Sequence, residues 1–379
     1  MRSIFVFLLA SPLLWTTPLR AEELSYSHFE GSQETASVSV KRGGLVHTRL
    51  FNAAPMDSKE RAVADLVGQI AGVARAFDSS IEMVAKLNLY SASSDSNDQA
   101  GIRKAIASHW PAGKQPAITL IPSAIPGDAL LAGDAVIAVP SQSSEVEIFE
   151  RDAALMPATR DIIYVSGRAA SGELAPATAG TMTQLFDVLG HLGSNPKDVV
   201  QVKAFIQPID KWEIVEAEIE KSFGGNPPPV VYVEWISSSR STEIELIAAA
   251  PDQLGDKGTI SYFTPPEDKR SPVYSRVARV HSDRVIYLSG HHGAGSESDA
   301  KALYAQLKRT ATAAGTDLRH FAKATYYVTT PEASASLNTV RPRHYDPERP
   351  PAASKVMIRS LDQEYTQLLI DMVAAPVEQ

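Results

Sequence analysis

Asp161-Ile-Ile-Tyr-Val-Ser-Gly167 decides how this chain is read, because Asp283-Arg-Val-Ile-Tyr-Leu-Ser-Gly290 repeats its pattern about 120 residues further on. Both are short apolar runs that end in Ser-Gly, and both lead into an amphipathic helix. A worn third copy stands upstream at a similar spacing: Gly44-Leu-Val-His-Thr-Arg49, with Thr48-Arg49 where the others have Ser-Gly. Self-similarity at a fixed spacing sets the architecture before any single motif is weighed.

Periodicity orders the elements behind each copy. Val63, Leu66, Val67, Ile70, Val73, Ala74 and Phe77 mark one face of a helix, with Asp57 and Glu60 as a capping box at its entry. Met182, Leu185, Phe186 and Leu189 repeat the plan, as do Ala300, Leu303, Leu307 and Ala311. Each helix gives way to a strand, over 83–90, 199–206 and 321–328. In the middle strand Val200, Val202, Ala204 and Ile206 alternate with Gln201, Lys203 and Phe205, which predicts a sheet with one face more buried than the other. A second helix comes next, then two strands: 117–121 with 131–139, 230–236 with 243–249, and 355–358 with 368–374.

The unit therefore reads as paired strands, helix, strand, helix and two strands, an α/β sandwich with both helices on one face of the sheet. Pro140-Ser-Gln-Ser-Ser144 and Asp252-Gln-Leu-Gly-Asp-Lys-Gly258 are polar joints without apolar periodicity. The expected domains are 22–143, a degenerate copy, then 144–255 and 256–379, behind a leader over 1–21. Three modest cores would each leave a sheet face uncovered, and packing the three faces around a shared axis buries them economically.

Asp198-Val-Val-Gln-Val-Lys-Ala-Phe-Ile-Gln-Pro-Ile-Asp-Lys-Trp212, Ser166-Gly167 and Thr242-Glu-Ile-Glu-Leu-Ile-Ala248 resemble the RidA family, also called YjgF or endoribonuclease L-PSP. Ala313-Ala-Gly-Thr-Asp-Leu318, Pro350-Pro-Ala-Ala-Ser-Lys355 and Ile370-Asp-Met-Val-Ala374 carry the same resemblance in the third repeat. It implies three tandem RidA-like, chorismate-mutase-like domains forming a single-chain pseudo-trimer, because the family's single domains assemble as homotrimers with clefts between subunits. It also implies hydrolysis of 2-imino acids by a site whose arginine, just after a Pro-Ala pair, grips the substrate carboxylate through its planar fork.

That arginine is missing. The aligned positions hold Ile118, Val230 and Ala353. Of the other family positions, Asn338 matches a site asparagine where the other repeats have Glu216 and Arg103, and acidic residues persist on the last strand as Glu245 and Asp371, with a register open by two residues. Replacement cations near the Ser-Gly turn are Arg49, Arg168 and the pair His291-His292, of which strand alternation lets one reach a cleft. The plainer reading of Arg49 and Arg168 is as solvated loop cations, and of Glu216 and Glu245 as a helix-surface and a sheet-end charge. Lys355, two places past the lost arginine, points the same way along its strand, or is an edge-strand lysine. The third repeat keeps the most family-like set, Ser289, Gly290, Asn338 and Asp371, so a working cleft is expected there, with Lys355, His291 or His292 as its cation.

Other chemistry is set aside. Gly290-His-His-Gly-Ala-Gly295 lacks the Gly-Lys-Ser/Thr ending of a phosphate loop, and His291, His292, His320 and His344 show no zinc-ligand spacing. No cofactor and no metal is expected. The chain has no cysteine and no Gly-x-Ser-x-Gly elbow. A net charge of -8 and a pI of about 5.6, with no basic run, argue against nucleic acid as partner. Arg2, the apolar run from Ile4 to Trp15 and Leu19-Arg-Ala21 have the order of a secretory signal, or of an uncleaved apolar anchor, and predict a secreted or periplasmic protein with no later membrane span.

Two readings of function result. One is an exported protein with an inter-domain cleft that binds and, as an enzyme of the RidA type, hydrolyses a small imine or carbonyl metabolite. The other is a non-catalytic small-molecule-binding or scaffold protein that has lost the deaminase site. Both expect a monomer of three fused domains.

Overall fold

The computed structural model describes residues 24–41, 43–55, 58–141, 143–236, 239–251, 258–359 and 366–377. The expected leader, Asp57 and most of the second joint lie outside them. Strands β1 (Leu24–His28), β2 (Thr35–Lys41), β3 (Gly44–Thr48) and β4 (Phe51–Asn52) precede helix α1 (Lys59–Ala76), β5 (Val84–Ser91), α2 (Ser96–Ala107), β6 (Ala117–Pro122) and β7 (Leu131–Val139). The second stretch runs β8 (Glu147–Phe149), β9 (Ala153–Met156), β10 (Ile162–Arg168), α3 (Leu174–His191), β11 (Val199–Ile206), α4 (Trp212–Ser222), β12 (Val230–Glu234) and β13 (Thr242–Ala249). The third runs β14 (Ile260–Phe263), β15 (Val277–Val280), β16 (Arg284–Leu288), β17 (His291–Gly293), α5 (Glu297–Ala313), β18 (Phe321–Val328), α6 (Pro331–Val340), β19 (Ala352–Met357) and β20 (Leu368–Ala374).

The helices form where the apolar spacing places them. In α1 the residues at i, i+3, i+4 and i+7 (Val63, Leu66, Val67, Ile70) are buried, and the Ser58 hydroxyl accepts from Arg61 N at 3.3 Å. Each such buried side chain contributes about 1.5–3 kcal/mol, so Leu66→Ala alone would cost about 2–5 kcal/mol. Helix α5 starts on a capping box between Ser296 and Asp299.

Three sheets and six helices make up the mixed α/β fold among the described residues. One sheet has the order β6-β5-β7-β3-β9-β8, one β12-β11-β13-β10-β15-β14, and one β1-β2-β16-β20-β18-β19. The two-stranded hairpin at the head of each stretch thus lies in the preceding stretch's sheet, and the exchange is cyclic, since β2 pairs with β16. Paired strands were expected inside each unit. Two local features hold the crossing. A Cβ on Gly44, where β2 passes into β3, would lie 2.7 Å from Leu155 Cδ1 and 2.9 Å from Val139 Cγ2, so the chain passes close against β9 and β7. Asp161, at the head of β10, is 2.8 Å from both Arg279 Nε and His281 Nδ1, which pins β15 to the second sheet.

The expectation of one more exposed sheet face is not met: every residue of β5, β7 and β11 is buried. The second face of each sheet packs on the other sheets, so polar residues on it, Lys86 and Lys203 among them, are interior.

Candidate functional site

Sheet register aligns the three stretches independently of sequence likeness. His47 pairs with Val136, Tyr164 with Ile247 and Tyr287 with Val373, and each partner stands two residues after an acidic one, Asp134, Glu245 and Asp371. Those acids in turn pair with Asn88, Lys203 and Thr325. The open register of the last strand therefore closes on Glu245, with Asp134 as a third member that the sequence reading missed. The same alignment moves the first turn by one residue, so that Arg49-Leu50, not Thr48-Arg49, stands where the others have Ser-Gly. Leu50 N donates to Val230 O at 3.1 Å just as Gly290 N donates to Ile118 O at 2.9 Å.

These contacts place each site at a junction, with the turn from one stretch and the strand and second helix from the next. The third-repeat residues expected in one cleft are accordingly divided between two. Ser289 and Gly290 face the first stretch, where Ser289 Oγ donates to Thr35 O at 2.6 Å and accepts from Ile118 N at 3.1 Å. Beside them Lys86 Nζ donates to Asp371 Oδ1 at 2.5 Å, to Thr119 Oγ1 at 2.7 Å and to Leu288 O at 2.7 Å. His291 turns inward, 2.8 Å from Ser289 O and 2.9 Å from Thr310 Oγ1, while His292 Nε2 lies 3.0 Å from Arg103 Nη2 at the junction. Burial pushes both imidazoles down, to about 4 and about 3.

Asn338 and Lys355 belong to the junction of the second and third stretches. Lys355 Nζ donates to Asn338 Oδ1 at 3.0 Å and Ser334 Oγ at 2.9 Å. Across from them Ser354 Oγ donates to Glu245 Oε2 at 2.7 Å and accepts from Gly167 N at 3.2 Å, and Lys323 Nζ donates to Glu245 Oε1 at 2.5 Å. Arg168 is committed elsewhere, gripping Asp268 with two bonds of 2.9 and 2.6 Å. Glu243 lies over Gly167 so closely that a Cβ there would sit 2.1 Å from its Oε1. Burial, with Glu245 adding repulsion, pushes the Glu243 carboxyl up to about 8.

The junction of the first and second stretches holds a cavity of about 130 Å³. Helix α4 presents Trp212, Glu216 and Ile219 to it on one face, at i, i+4 and i+7. From the turn come Arg49 and Asn52; from β12 comes Tyr232, which takes the strand place that Lys355 has in the third stretch. Arg151 completes the wall from the exchanged hairpin, in a turn where it and Glu150 hold φ of 63° and 48°, a left-handed conformation that costs non-glycine residues about 1–3 kcal/mol each. Two polar groups here are unsatisfied. Tyr232 is 7% exposed and its hydroxyl has no hydrogen-bond partner among the described residues. Glu216 makes no hydrogen bond or ion pair among the described residues, and burial raises its carboxyl above the ordinary range. By contrast Arg49 Nε donates to Asp152 Oδ1 at 2.5 Å, and Arg151 Nη2 to Glu220 Oε1 at 2.7 Å and Gly225 O at 2.8 Å.

The sequence marked Arg49 and Glu216 as site candidates but not Arg151, Tyr232 or Trp212, nor the buried lysines. The one signal for the latter was a lysine inside a largely apolar strand, at Lys86 and Lys203 and again at the part-buried Lys323. Among the described residues no cluster of three or more metal-ligating side chains occurs, and no helix is long and apolar enough to cross a membrane.

No protein-family model matches the chain, and no curated protein matches it. Solved structures similar to parts of it are of the RidA/YjgF family. A YjgF-family protein from Neisseria meningitidis is 24% identical over 32% of this chain and 97% of its own, with a TM-score of 0.24. A YjgF-family protein from Mycobacterium tuberculosis is 27% identical over 24% of this chain and 79% of its own, with a TM-score of 0.22. RidA from an Antarctic Psychrobacter is 23% identical over 24% and 79%, with a TM-score of 0.22.

Proposed function

We propose that this chain is an exported, RidA-like pseudo-trimer of three fused units, and that it binds a small polar metabolite in the cleft between its first and second units. The observation that carries the reading is the Tyr232 hydroxyl, buried on the wall of a cavity and without a hydrogen-bond partner among the described residues. A buried polar group without a partner costs about 1–3 kcal/mol, a cost that a ligand supplying the missing bond recovers. At the other two junctions the corresponding cations have partners: Lys355 is held by Asn338 and Ser334, and Arg103 faces His292 and Glu34. The Ser-Gly and closing-strand motifs support the RidA-like assignment, and the charged-then-apolar start supports export.

Binding, rather than imine hydrolysis, is the function proposed. With Ile118, Val230 and Ala353 in place of the family arginine, the strand offers no guanidinium to a substrate carboxylate. A thermal-shift screen of keto acids, amino acids, amines and sugars tests the reading on the wild type, Tyr232→Phe, Glu216→Gln, Asn338→Ala and Lys355→Ala. Stabilisation lost in the first two variants and kept in the last two is expected. A ligand with the reverse pattern would move the site to the second-third junction and overturn the assignment.

A further inference from the structure

We propose that the ligand of the first-second cleft is a small organic cation, a primary amine held by its ammonium group on the Glu216 carboxylate and against the Trp212–Tyr232 aromatic pair. The inference rests on the reading of this cleft as the ligand site and adds the ligand's charge. Charge accounting points to it. Arg49 is bonded to Asp152 and Arg151 to Glu220, so each guanidinium on the cavity wall has its own carboxylate. Glu216, on which Arg49 and Arg151 act only through space, is the carboxylate of the cavity wall without an ion-pair partner among the described residues. A carboxylate ligand would meet guanidiniums whose charge Asp152 and Glu220 already offset, and would have to approach Glu216. An ammonium would complete the set.

The rest of the wall suits such a group. An ammonium has three N–H donors and no acceptor, and Glu216 together with the lone pairs of the Tyr232 hydroxyl offers acceptors for more than one of them. The Trp212 and Tyr232 rings have centroids 5.5 Å apart, and an aromatic face within about 6 Å attracts a cation through its quadrupole. Pro227, Pro228 and Ile219 give an apolar side for a short hydrocarbon tail. The carboxyl is held partly out of water, and Arg49 and Arg151 favour its ionised form while Glu213 and Glu220 oppose it. Its position is not accidental to one loop, because α4 fixes Glu216 one turn after Trp212. The strained turn at Glu150 and Arg151 brings the hairpin's cation to Glu220 and leaves Glu216 unpaired.

The test is isothermal titration of n-propylamine, propionate, propionamide and alanine into the full chain at neutral pH and constant ionic strength. Wild type, Glu216→Gln, Tyr232→Phe and Lys355→Ala are compared, with circular dichroism and melting to show that each variant folds. Glu216→Gln keeps the shape and removes the charge, so propylamine should bind the wild type and lose about tenfold or more in affinity in that variant. Tyr232→Phe should weaken it less, and Lys355→Ala should leave it unchanged. Propylamine binding that survives Glu216→Gln, or tighter binding of propionate than of propylamine, overturns the proposal. If alanine or propionamide binds in a Tyr232-dependent way while propylamine does not, the charge inference fails and the cleft assignment stands. If no probe binds in a Tyr232-dependent way, both fail.

Discussion

Lys86→Met is expected to cost this protein about 3 kcal/mol, the low end of the range for breaking a buried ion pair from one side. The lysine side chain is 3% exposed and the Asp371 side chain 10%, and they meet at 2.5 Å. Methionine fills much of the same volume, so the loss is chiefly electrostatic: Asp371 keeps the Thr119 hydroxyl at 2.9 Å but has lost its ion-pair partner. Lys203 and Lys323 still act on Asp371 through space, without a hydrogen bond to it, which places the cost at the lower end. Replacing both charges, Lys86→Met with Asp371→Leu, should restore most of the loss, since an apolar pair of similar volume is often neutral in place of a buried ion pair. Urea unfolding of the wild type, both single variants and the double variant, followed by tryptophan fluorescence, gives the coupling energy, expected at about 2 kcal/mol or more. A single-variant cost under about 1 kcal/mol, typical of an exposed pair, would refute the reasoning, because Lys86 of the first stretch and Asp371 of the third would then not share a buried site.

Three further outcomes are expected. Burial lowers His47 from 6.5 to about 4, with Lys203 reinforcing the shift, and neither ring nitrogen has a partner among the described residues. The unfolded chain then takes up protons that the folded one refuses, so this stabilisation is complete above pH 6.5 and is lost as pH falls toward 4, by about 3 kcal/mol; His47→Phe should flatten that limb in urea midpoints measured against pH, and an unchanged slope would contradict it. Gly167→Ala should lower the melting temperature, because its Cβ would meet Glu243 Oε1 at 2.1 Å, and adding Glu243→Ala should recover the loss; a neutral single variant would count against the close approach. In a coupled assay the protein should hydrolyse 2-iminopropanoate no faster than buffer does, and turnover matching an arginine-bearing RidA would show that another cation has taken over.

Much of the fold was legible because its determinants are local. The strands at 131–139, 199–206 and 368–374 fall where alternation and apolar runs put them, and α1, α3 and α5 bury the expected faces except for Phe77, which caps α1, and Phe186, both part-buried. Strand partnership was not legible. Lys41 and Gly44 are close enough in sequence to read as a hairpin, yet β2 and β3 lie in different sheets, with Gly44 crowded against β9 and β7, and the Asp161–Arg279–His281 cluster ties β15 to β10 in the same nonlocal way. The same nonlocality divided the site. Asn338 and Ser289 belong to one repeat in sequence but face different neighbours, and Tyr232 gave no signal because its role depends on a cavity wall supplied by Arg49 and Arg151.

The cyclic exchange of hairpins underlies every cleft, because each cleft is built from two stretches. Lys41 and Arg284 lie directly opposite each other where β2 pairs with β16. The chain contains no cysteine, so Lys41→Cys with Arg284→Cys introduces the sole thiols. Mild oxidation followed by non-reducing electrophoresis and mass spectrometry should give one species of single-chain mass with an internal 41–284 disulfide. Free thiols after oxidation, or disulfides joining separate chains, would contradict the pairing of β2 with β16 within one chain.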